Sequence, residues 1–195
     1  MPGLNFVCGL AGETEATYDK NEAFLTGLLA SGLLVRRVNI RQLMPFEGTR
    51  AWEENTLGEH DARFRTFREH VRQTFDIPML QQVFPAGTLL RDIYVEQCGR
   101  VSFGRQMGSY PILTGMPGDI PETVLDAVVC DHGRRSVTAM PVPININTLP
   151  ASALRYIPGI GKKRAVSLIA KRPFASLNAF REIAGETPLD PYLSF

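Results

Sequence analysis

The residues Pro158-Gly159-Ile160-Gly161, followed at once by Lys162-Lys163-Arg164, constrain the fold of this chain more than any other stretch. Proline fixes its φ and stops a preceding helix. Glycines on either side of one isoleucine permit a tight reversal and leave no Cβ between the backbone and an approaching group. On the N-terminal side the pattern predicts a short helix over 150–156, with Pro150 tolerated in the first turn and Thr148 available near its start. On the C-terminal side it predicts a second helix over 162–171, with Ala165, Leu168 and Ile169 on its inner face. Ile160 can then turn inward and lock the corner to a core. The free N–H groups opening the second helix, at its positive dipole end, face an anion, and Lys162, Lys163 and Arg164 add charge at the same mouth.

Charge distribution agrees with that reading. The chain carries a net charge of +1, yet residues 148–185 hold seven basic side chains against one acid, which leaves −5 for the remainder. A basic end on a mildly acidic body is the footprint of a polyanion-binding appendage. Contacts from Gly159, Ile160, Gly161, Lys162, Lys163 and Arg164 would read phosphate backbone rather than bases, with little sequence preference and strong salt dependence. The plainer alternative is a glycine-containing helix–helix corner with a basic surface.

The remaining sequence divides by its periodicity into three further segments. Residues 1–50 read as strand, turn, helix and strand. An apolar run over 4–8 precedes Gly9-Leu10-Ala11-Gly12-Glu13-Thr14; a helix over 15–31 places Phe24, Leu25, Leu28 and Leu29 at helical spacing; Gly32 suits its C′ position; a strand follows over 34–43. The connection is long enough for a parallel βαβ unit. Parallel strands are normally covered on both faces and belong to larger sheets, so this piece reads as the end of a bigger α/β domain, or as a small mixed sheet completed by later strands. Residues 51–86 read as a helical connector with an apolar stripe of Phe64, Phe67, Val71 and Phe75, ended or kinked at Pro78. Its Arg63, Arg65, Arg68 and Arg72 read as a solvated face paired with Glu69 and Asp61 before they read as a nucleic-acid surface.

Residues 87–146 change to strand character, with runs over 88–97, 101–107, 110–114, 124–130 and 136–142 separated by turn residues such as Pro117-Gly118-Asp119. Five short strands predict a small antiparallel barrel, because closure removes the open edges that so few strands would expose. His132 falls at a hairpin tip and reads as a turn residue. Residues 147–195 form the hairpin module. The three cysteines, Cys8, Cys98 and Cys130, show no CxxC spacing, so they read as reduced, mostly buried thiols with no metal site, a Cys98–Cys130 contact between neighbouring strands being the alternative that spacing leaves open. No run of eighteen apolar residues exists, and residues 1–5 lack a secretory n-region, so the expected location is the cytoplasm, away from any membrane. No catalytic residue stands out: Glu13 with Asp19, and Asp131 with His132, read as caps and turns.

Two resemblances add to this reading. Residues 144–183 resemble the helix-hairpin-helix family, particularly its DNA-uptake branch, through the lead-in Asn145-Ile146-Asn147-Thr148 and the follow-on Arg172-Pro173-Phe174, with Ser176-Leu177 opening a third helix. That resemblance implies phosphate contact by the backbone of Gly159, Ile160 and Gly161 and by Lys162 and Lys163. The first fifty residues resemble the late part of radical S-adenosylmethionine barrels, through Phe6-Val7-Cys8-Gly9-Leu10-Ala11-Gly12-Glu13-Thr14 and Met44-Pro45-Phe46-Glu47-Gly48-Thr49, with Ala11 and Glu47 as mild departures. The strands between look loosely like the TRAM barrel that radical methylthiotransferases use to hold tRNA. Together these features are similar to a group of archaeal Fe–S oxidoreductases of unassigned substrate.

The implied architecture is α+β: a terminal βαβ unit of an incomplete α/β, TIM-like barrel, a TRAM- or OB-like antiparallel barrel, and a C-terminal helix-hairpin-helix. By family position Val7, Gly9, Gly12 and Glu13 would lie near the cofactor. The family's CxxxCxxC is not in this sequence. S-adenosylmethionine and a [4Fe–4S] cluster are therefore implied only for a longer enzyme, whose remaining barrel the same or another chain would supply, and this chain by itself would be inactive. The implied partner is duplex DNA or tRNA. The competing reading is a free-standing, non-enzymatic DNA-binding protein; a protein–protein adaptor is the third.

Overall fold

In the computed structural model, which describes residues 1–108 and 111–195, the chain divides into two compact units, Met1–Val83 and Phe84–Phe195. The sequence pointed to four segments. They pair up because each pair shares a core.

The first unit opens with β1 (Gly3–Cys8), α1 (Glu15–Ala30) and β2 (Arg37–Gln42). β1 and β2 are parallel, with Leu4 opposite Val38 and Phe6 opposite Ile40, as the βαβ pattern predicts. Then come α2 (Arg50–Glu54), α3 (Asp61–Val71), a π-helical turn (Arg72–Asp76) and α4 (Ile77–Val83). Phe64, Phe67, Val71 and Phe75 are all buried, in one core with Cys8, Tyr18, Leu25, Val35 and Val38. Residues 51–83 therefore cover the βαβ piece rather than merely connecting it onward. The ring of Phe67 meets Tyr18 at 5.5 Å and Phe6 at 6.1 Å, both edge-on. Pro78, expected to end or kink the helix, does not end it: the helical run continues from Asp61 to Val83, and the wider π-helical turn Arg72–Asp76 stands just ahead of the proline. Arg63 ties α3 to α1 through Asp19 at 2.7 Å, Glu22 at 3.1 Å and Glu15 at 3.6 Å. Its partners are thus on α1 and not Asp61 or Glu69. Among the described residues the sheet has two strands, and no TIM-like barrel is formed.

The second unit begins with β3 (Leu89–Gln97), β4 (Val101–Gln106), β5 (Leu113–Pro117), β6 (Val124–His132) and β7 (Ser136–Pro141). They close into a barrel in the order β3-β4-β5-β7-β6. The expected barrel is present, but it is not wholly antiparallel: β5 and β7 run parallel, with Leu113 opposite Ser136 and Gly115 opposite Thr138. β5 also lies later than the expected strand over 110–114, of which Tyr110, like the turn residue Ser109, falls outside the described residues. The interior is filled by Leu90, Ile93, Val95, Met116, Ala127, Val129, Val137 and Ala139. His132 closes β6, and its Nε2 lies 2.6 Å from the Phe84 carbonyl oxygen, so its role is structural.

Beyond the barrel lie β8 (Ile144–Asn145), α5 (Ala151–Leu154), α6 (Lys162–Ala170), α7 (Leu177–Ala184) and β9 (Leu193–Ser194), which pairs parallel with β8. Val128, Cys130 and Met140, on the outside of the barrel, share a core with Ile144, Ile146, Leu154, Ile157, Ile160, Leu168, Phe180 and Leu189. Barrel and hairpin are one packed body.

Gly104 marks the tightest point of the barrel wall. A Cβ there would stand 2.5 Å from the Tyr94 carbonyl oxygen and 2.8 Å from Ile93 Cγ2. Backbone would have to move, and overpacking of that kind costs about 1–3 kcal/mol. Gly104→Ala should lower the unfolding free energy of the second unit by that amount, seen as a lower urea midpoint at an unchanged m-value; a midpoint within error of the parent would refute the close approach.

Candidate nucleic-acid interface

The hairpin is held from behind by polar contacts that explain its flanking sequence. Asn145 Oδ1 accepts from the N–H groups of Asn147 (2.9 Å) and Thr148 (3.1 Å), forming the turn into α5. Thr148, available near the start of this helix, does not cap it; the N-cap is Pro150, without a side-chain cap. The Asn147 amide bonds Phe174 twice: its Nδ2 donates to the carbonyl at 2.9 Å and its Oδ1 accepts from the N–H at 2.7 Å. Arg172 donates to the Leu149 carbonyl at 2.6 Å, and burial holds its guanidinium pKa below the usual value. The Asn-containing lead-in and the Arg-Pro-Phe follow-on are thus two halves of one clamp, with Phe174 buried against Phe180 at 5.9 Å.

Inside that clamp the chain reverses as expected. Ile157 and Ile160 are buried and pin both sides of the turn. Gly159 adopts φ +84°, which L side chains rarely adopt. Gly161 is the N-cap of α6 at φ −80°, ψ 177°, ordinary extended backbone, and a Cβ there would meet nothing within 4 Å. Neither conformation nor packing asks for glycine at this position. Ala165 and Leu168 face the core, whereas Ile169, expected inward, is 38% exposed on the flank of a helix whose contact stripe is narrow.

The electrostatics of α6 run against the usual preferences of a helix start. α1 opens on Thr14 with Glu15 behind it, α2 on Thr49, and α7 on Ser176, whose hydroxyl accepts from the Ala179 N–H. α6 opens on a glycine with no cap, no acid in its first turn, and Lys162 and Lys163 exposed at the positive dipole end. Among the described residues nothing accepts from the backbone N–H of Gly161, Lys162, Lys163 or Arg164. Arg164, expected beside the lysines, turns back: its Nη1 donates to the carbonyls of Gly159 (2.8 Å) and Ala184 (3.2 Å), latching the turn to the end of α7.

The other residues singled out lie in the first unit. Val7 is half exposed on β1, and the turn Gly9–Gly12 leaves its end. Glu13 closes that turn on itself: Oε2 accepts from the Gly9 N–H at 2.9 Å and Oε1 from the Tyr18 hydroxyl. His60 Nε2 and Thr56 Oγ1 tie the same turn down through the carbonyls of Glu13 (3.0 Å) and Gly9 (2.8 Å). Burial, then the Glu13 hydrogen bond, raises the Tyr18 pKa, so it remains a donor.

The cysteines do not fit a metal cluster. Cys98 is exposed while Cys8 and Cys130 are buried in different cores. Burial first, and then a neighbouring carboxylate, pushes the Cys8 thiol up to about 11 and the Cys130 thiol up to about 12. Among the described residues no group of three His, Cys, Asp or Glu side chains is placed to hold a metal ion, and no helix is long and apolar enough to cross a membrane.

With this geometry in place, the comparisons fall where the hairpin is. Residues 141–188 match the family model of the helix-hairpin-helix motif, a region whose family association is with nucleic-acid binding. Over the longer chain, an uncharacterized protein of Archaeoglobus fulgidus is 37% identical across 193 residues, 97% of this chain and 36% of that protein. An uncharacterized protein of Methanocaldococcus jannaschii is 41% identical across 145 residues, 71% of this chain and 26% of that protein. The chain thus spans about a third of the length of the first of these relatives and less of the second.

Two outcomes follow from the site alone. Gly159→Ala should destabilise the second unit by about 1–2 kcal/mol because of its left-handed φ, whereas Gly161→Ser should leave thermal stability unchanged or raise it, serine being a favoured N-cap; equal losses in both would contradict the assigned backbone. For the thiols, the folded state holds the Cys130 proton more tightly than the unfolded chain, whose thiol titrates near 9.0. That stability is fully present below pH 9 and is lost as pH rises toward 12. Alkylation at neutral pH should label Cys98 alone, and Cys130→Ala should flatten the alkaline decline seen in denaturation.

Proposed function

We propose that the second unit binds nucleic acid by seating a backbone phosphate at the start of α6. The N–H groups of Gly159 and Gly161 and those opening the helix face it, and Lys162 and Lys163 flank it; the Ile160 N–H, expected beside them, is donated instead to the Ile157 carbonyl at 3.0 Å. One observation carries this reading: α6 forgoes both cap and acid, and gathers cations, at the end of a helix where its own stability asks for the opposite. Rules of local structure are broken most often where a site needs them broken. Such contacts orient the protein on the backbone and carry no base information, so sequence preference should be slight.

Arg164 contributes by holding the Gly159 carbonyl away from the phosphate, and adds its charge only from behind. The protein–protein adaptor reading is less favoured, because the mouth of the hairpin offers unpaired N–H donors and lysines, and the exposed Val166 and Ile169 lie further along α6.

The first unit supports a larger context. Its two parallel strands leave unpaired edges, with Val7, Phe24, Met44, Phe46 and Trp52 exposed around them, and the longer relatives carry much additional chain. We read it as a portion of a larger α/β assembly, which the resemblance identifies as the end of a radical S-adenosylmethionine barrel. On that reading the cluster and its three thiolates lie elsewhere, since this chain's cysteines do not fit them, and the cofactor-facing role of Val7, Gly9, Gly12 and Glu13 rests on the resemblance. No radical activity belongs to this chain by itself.

Fluorescence anisotropy against labelled duplex DNA and tRNA across a salt series tests the phosphate reading. Log K should fall linearly with log salt, and Lys162→Gln with Lys163→Gln should shallow the slope by about one per lysine. Gly161→Ser should lose at least tenfold in affinity while keeping its fold, because the serine hydroxyl occupies the N–H groups the phosphate needs. Salt-insensitive binding, or full affinity in the serine variant, would overturn the proposal.

A further inference from the structure

An open groove of about 510 Å³ runs beside the hairpin, within the range of small-ligand clefts. One wall is the hairpin itself, from Arg155 and Tyr156 to Gly161; the other is the end of β6, at Cys130 and Asp131. A groove that merely continued a phosphate site would be lined by cations alone. This one carries one cation, Arg155, and one carboxylate, Asp131. Asp131 is exposed; its Oδ1 accepts from the His132 N–H at 2.8 Å, and among the described residues nothing donates to its Oδ2. Tyr156, 37% exposed, offers an aromatic wall on the other side. Cys130 supplies no nucleophile, for its buried thiol donates to the Thr138 carbonyl at 3.2 Å.

A carboxylate so placed repels a phosphate and accepts from a hydroxyl. Next to a bound phosphate, the group a nucleic acid presents is the sugar, and only ribose brings a hydroxyl donor there, the 2′-OH. Deoxyribose would leave the Asp131 oxygen facing a chain of like charge with nothing to accept.

We infer that the groove between Asp131 and Tyr156 seats the ribose of the nucleotide whose phosphate sits at α6, with Asp131 accepting from the 2′-OH, so that the partner is RNA rather than DNA. This rests on the phosphate reading above and narrows it to one substrate class. Affinity comes from the hairpin N–H groups and lysines; discrimination comes from one carboxylate on the barrel.

The test uses the full chain and three probes of one sequence: an RNA hairpin, the same hairpin fully 2′-O-methylated, which keeps A-form shape but lacks the donor, and the DNA hairpin. Wild type should favour RNA by about tenfold over both others, the scale of one hydrogen bond to a charged group. Asp131→Ala should lose RNA affinity, gain DNA affinity and bring the ratios toward one, while Asp131→Asn, which keeps an acceptor, should retain part of the preference. Circular dichroism and an unchanged Gly161→Ser effect would show that hairpin and fold are intact. If wild type binds all three probes equally, or Asp131→Ala leaves the ratios unchanged while Gly161→Ser still abolishes binding, the ribose assignment falls and the phosphate site stands. If no probe shows salt-dependent binding, both readings fall together.

Discussion

Everything in the second unit depends on β6 being buried on both of its faces. Ala127 and Val129 point into the barrel, and Val128 and Cys130 point out of it into the core of the hairpin. Strand residues alternate sides, so four consecutive buried positions mean that two cores are built on one strand. Burying an aliphatic side chain of this size contributes about 1.5–3 kcal/mol, and the hairpin's own helices, of four, nine and eight residues, are too short to stand alone. The barrel supplies the floor. The C-terminal residues close the arrangement, as β9 pairs with β8 and the Tyr192 hydroxyl donates to the Gly87 carbonyl at 3.3 Å.

That shared strand fixes what the hairpin can do. Ile157 and Ile160 are held by the floor, Asn147 and Arg172 by the clamp, and the Gly159 carbonyl by Arg164, so the turn is braced at each point except its outer edge. The outer edge is where the unpaired N–H groups of α6 lie. A braced turn loses little freedom when an anion arrives, which is what makes preorganised backbone donors effective. The same packing brings the end of β6 alongside the turn, so that Asp131, a barrel residue, and Tyr156, a hairpin residue, line one groove.

How far the sequence could be read follows from the range of each interaction. The hairpin was legible because proline and glycine act on their own dihedrals, and Ile160 had no other direction to turn. The clamp was visible as a pattern, but its chemistry was not: Asn147 and Phe174 are 27 residues apart, and only folding brings the amide to the backbone it bonds. The five-strand barrel was legible from alternation and turns, whereas the parallel seam between β5 and β7 was not, because a strand's pattern of exposure is silent about its neighbour's direction. The stripe Phe64, Phe67, Val71 and Phe75 announced a buried face without saying what it buries against, so a helix that covers the β1–β2 sheet looked like a connector. Arg164 shared its signal with Lys162 and Lys163, and only the latch to Gly159 and Ala184 separates them.

The start of α6 shows why a site can be found from what a fold gives up. Ser176 and Thr49 show that this chain uses hydroxyl caps elsewhere, and a cation near a helix N-terminus is disfavoured by about 0.3–1 kcal/mol where it is poorly screened. Lys162 and Lys163 accept that penalty together, beside a glycine that neither φ nor space requires. Each feature is a small cost to the free protein, and each cost has the same remedy: an anion at the helix start satisfies the N–H groups, neutralises the lysines and needs the missing Cβ to stay missing. The lysines and the capless glycine are two departures with one common remedy; α3 and α5 also open without a side-chain cap, so what distinguishes α6 is the pairing of that missing cap with two cations in the first turn. Asp131 then reads as the exception that sets limits on the ligand. On the proposed reading, a site selected only for negative charge would not place a carboxylate in its groove, and the 2′-OH of a ribose is the donor from which that carboxylate would accept.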